Sequence, residues 1–161
     1  MPSRPACRCP AHLTTGLSRM SDYSTPDFPI IYRPDLHILV GRWMVEITRA
    51  EQVKENYLQL FRAAAEVDNC RFWLLDARRR FRTVVEITNW VNSQVPDMAL
   101  EKLKGEIRIA FLLAPGQLLA STDSPPFPAL FHPVTGHPMS AQFTDEGQAI
   151  AWLQAQQTQP Q

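Results

Sequence analysis

The residues with the most chemistry in them lie within eight positions: Asp76, Arg78, Arg79, Arg80, Arg82 and Thr83. Asp76 closes the apolar run Phe72-Trp73-Leu74-Leu75, and Thr83 precedes a helical pattern. Four guanidiniums before a helix start are costly. Each cation near the positive end of the helix dipole is disfavoured by roughly 0.3–1 kcal/mol at low salt. An anion held between the arginines and the free amides of the first helical turn would reverse that sign. The chemistry implied is therefore binding of a small anion, a lipid headgroup or an acidic partner. The alternative is structural: the arginines splay into water or pair with Asp76, Asp35 or Glu46. Thr83 and Glu86 form a capping box, and a strand-terminal Asp76 accepts from Arg78 or from turn amides.

Other reactive side chains are scattered. Cys7 and Cys9 form a Cys-x-Cys pair without a His/Cys partner group at ligand spacing. Cys70 stands beside apolar strand residues and reads as a small buried hydrophobe rather than a nucleophile. His37 reads as a satisfied strand histidine, and His132 and His137 as loop histidines without a third ligand. There is no Gly-rich phosphate loop, no Gly-x-Ser-x-Gly elbow and no partner carboxylate for Asp76. The expectation is a non-catalytic chain with no metal and no cofactor. Arg42 and Trp43 are secondary candidates for a partner surface, with strand and core roles as the alternative.

These residues need a scaffold, and composition allows one. The chain has 161 residues, 45% of them hydrophobic, enough for one domain with a core. Lys+Arg and Asp+Glu are equal at 16 each, which argues against general nucleic-acid binding. No apolar run approaches the roughly 18 residues of a membrane span. A single cysteine in the body fits a reducing, cytoplasmic compartment. Residues 1–19 carry Arg4, Arg8 and Arg19, no acid, and Pro2, Pro5 and Pro10. They read as a disordered tail or a mis-assigned start with translation from Met20. Residues 20–27 read as a linker, 28–154 as a single domain, and 155–161 as a polar tail.

Along the domain, Phe28–Arg33 and Leu36–Met44 read as an antiparallel hairpin across the Pro34-Asp35 turn. Thr48 and Glu51 make a capping box for a helix to about Glu66, with Val53, Tyr57, Leu60, Phe61 and Ala64 on one face. Asp68 and Asn69 suit a left-handed helix end. The unalternating run Phe72–Leu75 predicts a strand covered on both faces. A second helix starts near Val84, with Val84, Ile87, Val91 and Val95 inward. Pro96 is expected to break or kink it, and Gly105 to stop the short helix that follows. Glu106–Leu113 alternates as a strand. Gln117–Ala120 reads as a helical turn, and 121–138 as a proline-rich loop. Met139–Phe143 is the last strand, followed by a helix capped by Thr144 or Asp145. A single core is expected from Val53, Leu60, Phe61, Leu74, Ile87, Val91, Ile109, Phe111, Ile150 and Trp152. The order predicts an α/β fold: an antiparallel N-terminal hairpin leading into a mainly parallel sheet with helices packed on it. Ligands in such sheets sit at the carboxyl ends of the strands. Met44–Thr48, Asp76–Thr83, Ala114–Gln117 and Phe143–Asp145 meet there.

Three segments carry a resemblance: Arg42-Trp43-Met44, the stretch Trp73–Arg79, and Phe143–Leu153, which reads Phe-Thr-Asp-Glu-Gly-Gln-Ala-Ile-Ala-Trp-Leu. Over about Ile30 to Leu153 the chain resembles the STAS-like, or SpoIIAA-like, fold of bacterial anti-sigma factor antagonists, nearest to uncharacterised stand-alone bacterial members. The resemblance implies a small regulatory or protein-interaction domain without catalysis. The antagonists carry a phosphorylated serine in an Asp-Ser-Ser-Gly turn. This chain has Phe81-Arg82-Thr83-Val84 in that region, so the motif is missing and only Thr83 stands near its place.

Overall fold

The computed structural model of the chain describes residues 17–47, 49–80, 85–118 and 127–159. In chain order the elements are β1 (Arg19–Met20), β2 (Ile30–Arg33), β3 (Ile38–Arg42), α1 (Ala50–Glu66), β4 (Phe72–Asp76), α2 (Val85–Leu103), β5 (Arg108–Leu112), α3 (Pro115–Leu118), β6 (Ser140–Phe143) and α4 (Glu146–Gln157). The six strands form one sheet in sequential order. β1, β2 and β3 pair antiparallel, and β3 through β6 pair parallel. The expected hairpin and parallel sheet are both present. Arg19 lies in β1 opposite Tyr32, so the sheet reaches into the segment expected to be tail. At the other end, α4 runs to Gln157 and buries Gln156, inside the expected polar tail. Among the described residues no helix is long and apolar enough to cross a membrane.

Every residue of β4 is buried, as an apolar run without alternation requires. Its side chains divide between two cores. Trp73 and Leu75 join α1 and α2 residues such as Val53, Leu60, Phe61, Ile87 and Val91. Phe72 and Leu74 join Ile38, Val40, Ala110, Leu112 and the α4 residues Ala149 and Leu153. The single core expected from the sequence is therefore two, because alternation along a strand sends neighbours to opposite faces. Leu74 sits in the second core, with Ile150 and Trp152 only partly buried at its margin. Phe127, Leu130 and Met139 belong to the first core, so the β5–β6 connection crosses the same face as α1 and α2. Same-handed crossovers moving one way along a sheet must share a face.

Two local features set the spacing of these layers. A Cβ on Gly41 of β3 would lie 2.8 Å from Phe28, 3.1 Å from Leu60 and 3.2 Å from Leu75. Its absence lets α1 close onto the sheet. α2 continues through Pro96, so the break, one of the two outcomes expected there, does not occur. Its inner residues Ile87, Val91, Val95, Ala99 and Leu103 are all buried at steps of four, and that packing holds the helix across the missing amide. The residue that leaves α2 in the left-handed region is Lys104 (φ 60°) rather than Gly105. Asp68 and Asn69 do so after α1 (φ 57° and 50°), as their types predict. Arg49 occupies the cap position of α1 without a side-chain bond, and Thr48 lies outside the described residues.

Candidate functional site

The parallel register lines up Arg42, Asp76, Leu112 and Phe143 at the carboxyl edge of the sheet. The backbone continues the pairing past the strands. Trp43 N–H donates to the Asp76 carbonyl (3.0 Å), and Ala77 N–H to the Leu112 carbonyl (2.9 Å). The chain then turns, closed by Arg80 N–H donating to the Ala77 carbonyl (2.9 Å). Gln117 of α3 clamps that turn: its Nε2 donates to the carbonyls of Ala77 (2.9 Å) and Arg80 (2.6 Å). The rim is thus built from segments of three successive crossovers and is held by backbone bonds.

Asp76 sits at its base, nearly buried. Its carboxylate accepts from Arg78 N (3.2 Å), Nε (3.0 Å) and Nη2 (2.7 Å), and from Arg42 Nη1 (2.7 Å). Burial works against the charge on Asp76. The side chain and amide of Arg78, and then Arg42, outweigh it and hold the carboxyl below its usual range. A carboxylate with four donors is a strut between two guanidiniums and has little basicity to offer a reaction. Arg42 also donates to Glu146 Oε1 (2.6 Å), tying the rim to the first turn of α4. Asp145, one residue earlier, caps that helix by accepting from Gln148 N–H (2.8 Å).

The three described arginines of the turn, Arg78, Arg79 and Arg80, do not share one field. A tight turn sends successive side chains in different directions. Arg78 is exposed and paired with Asp76. Arg79 is exposed and donates to the Met44 carbonyl (3.1 Å), and among the described residues it forms no ion pair. Arg80 is 3% exposed, its guanidinium carbon 4.5 Å from the Trp43 ring centroid and 5.9 Å from that of Phe127. Arg82 and Thr83 lie outside the described residues. Two of the arginines, Arg78 and Arg79, therefore reach a common open recess of about 400 Å³, lined also by Arg42, Trp43, Met44 and Asp76. Met44 (38% exposed) and Val45 (42% exposed) leave apolar surface beside it.

The other candidates are accounted for by packing. Burial pushes the Cys70 thiol up to about 11, and its Sγ donates to the His37 carbonyl (3.4 Å), so little thiolate is present at neutral pH. His37 leaves the hairpin turn with φ 52° and bonds the Tyr32 hydroxyl through Nδ1 (2.8 Å). His132 bridges Glu106 (3.0 Å) and accepts from the amides of Val134 and Thr135, which shapes the loop after Leu130. Cys7 and Cys9 lie outside the described residues. Arg42 and Glu146 are the functional-edge partners that sequence reasoning ranked low or missed. Arg42 reaches Asp76 across 34 positions through the parallel register, and Glu146 of α4 reaches Arg42 across 104. Trp43 is core, with its indole N–H donated to Asn56 (3.0 Å).

Comparison with known proteins gave no match to a family model, to a curated protein or to a solved structure. The class defined by fold and site is an α/β domain with a mixed six-stranded sheet and a recessed, arginine-bearing carboxyl edge.

Proposed function

We propose that the chain is a non-catalytic regulatory or protein-interaction domain of the STAS-like, SpoIIAA-like kind, and that it binds an acidic partner segment at the carboxyl edge of its sheet. One observation carries the surface: exposed Met44 lines the recess with Arg79, and Val45, next to Met44 in the chain, is exposed as well. Apolar side chains there offer burial to a partner, and Arg79 offers a guanidinium fork to a carboxylate. The antiparallel-then-parallel sheet and the resemblance of the β4 and α4 segments support the family reading by analogy. An anion site shared by Arg78, Arg79 and Arg80 has less support, since Arg80 turns inward onto Trp43.

The test is calorimetric titration of a capped peptide of alternating Asp/Glu and Leu into the protein at low salt. Binding is expected to weaken as salt rises. It should fall about tenfold or more in Arg79→Glu and in Met44→Asp, with unchanged melting temperatures. Absence of binding, or binding indifferent to both substitutions, removes this surface from the account.

A further inference from the structure

The sheet ends at β1 on one side and at β6 on the other. β1 is 2 residues long, and such brevity blunts an edge. β6 has no such protection. Ser140-Ala141-Gln142-Phe143 holds no charge and no proline, the usual guards against strand pairing. Of the parallel strands β3 to β6, only β6 lacks a buried residue. Its hydrogen bonds give the direction of the remaining backbone groups. Ile109 N–H donates to the Met139 carbonyl (3.0 Å) and Leu113 N–H to the Phe143 carbonyl (2.8 Å). Odd-numbered residues therefore face β5, and alternation turns the backbone N–H and C=O of Ser140 and Gln142 outward. The Leu130 amide donates to the Ser140 hydroxyl (2.9 Å), and Leu130 belongs to the first core. The segment before β6 thus lies over a face of the strand rather than along its edge.

We propose that β6 is a homodimer edge, at which a second copy of this chain adds its own β6 antiparallel about a two-fold axis at Ala141. Ser140 of each copy stands opposite Gln142 of the other, and each such pair exchanges both N–H···O bonds. Ala141 meets its own copy in the close, non-hydrogen-bonded pair, with Cα atoms roughly 4.5 Å apart, where a methyl group fits. A two-fold axis also brings every charge near it towards its own copy. That repulsion is absent here: from Gly147 to Gln157 α4 carries no charge, and Glu146 is held by Arg42. An acidic or basic partner strand finds no opposite charge along this edge, which favours the chain itself as the occupant. The axis stands perpendicular to the sheet, so α4 and its copy flank the seam on one face. Trp152, partly buried and 5.9 Å from the Phe143 ring, is the apolar side chain they cover. Pairing uses up the longer edge and leaves β1 at both ends, so assembly stops at the dimer. This interface is independent of the recess at Arg79.

Sedimentation equilibrium of the full chain is run from micromolar to millimolar concentration, with amide exchange followed at both ends of that range. The mass is expected to rise from that of the monomer to that of the dimer. The Ser140 and Gln142 amides should gain protection as it does. Gln142→Pro removes an outward N–H from an edge strand, where proline is tolerated. Ala141→Lys sets two like charges opposite each other across the axis. Each should weaken self-association about tenfold or more. Arg62→Ala, on the outer side of α1, should dimerise as the wild type does. A chain that stays monomeric throughout overturns the proposal. So does a dimer that leaves the Ser140 and Gln142 amides unprotected, or one undiminished in whichever of the two β6 variants folds.

Discussion

Replacing Asp76 with alanine removes the one acceptor that holds Arg42 and Arg78 together. Four hydrogen bonds are lost, all charge-assisted on the acceptor side. Breaking a fully buried ion pair by deleting one partner costs about 3–5 kcal/mol. Here the orphaned guanidiniums have outlets. The Arg78 side chain is 47% exposed, and Arg42, at 27%, keeps Glu146. The expected cost is therefore lower, about 2–3 kcal/mol, or roughly 5–10 °C in melting temperature for a domain of this size. Urea melts at a series of pH values test the cause as well as the size. The folded carboxyl is held below its ordinary range, so its contribution is fully present above the unfolded value of about 3.9. It is lost as pH falls through the depressed folded value. The gap between wild type and Asp76→Asn should stay constant from pH 7 to about 5 and shrink below about 4. A cost under about 0.5 kcal/mol for Asp76→Ala, or a gap that is flat into acid, would refute the strut.

Three further substitutions probe the scaffold. Gly41→Ala should destabilise by about 1–3 kcal/mol in denaturant melts, since its Cβ would press on three buried side chains. Leu74→Ala should cost about 2–5 kcal/mol through lost burial and a residual cavity under α4, and near-neutrality would contradict the two-sided covering of β4. Asp145→Ala should cost about 1 kcal/mol by freeing the Gln148 amide, with loss confined to α4 in amide exchange.

Local signals carried much of this fold. The run Phe72–Leu75 announced a doubly covered strand, Asp68 and Asn69 a left-handed helix end, and Thr144-Asp145 a cap, which Asp145 supplies; each depends on a few neighbouring residues. What escaped depends on tertiary placement. Pro96 is a strong local breaker, yet buried residues on both sides of it keep α2 whole. The arginine turn read as one patch because sequence gives proximity without direction. Its closure at Ala77 and Arg80 turns Arg80 inward onto Trp43 while Arg78 and Arg79 stay outside. The Arg42–Asp76–Arg78 arrangement was half legible: Arg78 is two residues from Asp76, whereas Arg42 reaches it only through the β3–β4 register.

The central claim is that partners meet this domain at the carboxyl edge of the sheet. The most direct measurement is amide chemical-shift mapping with the acidic Leu-containing peptide. The account predicts shifts clustered at Trp43, Met44, Val45 and Ala77–Arg80, with the outer faces of α1 and α2 silent. Shifts centred on those helices, or on the loop carrying Phe131 and Val134, would contradict it.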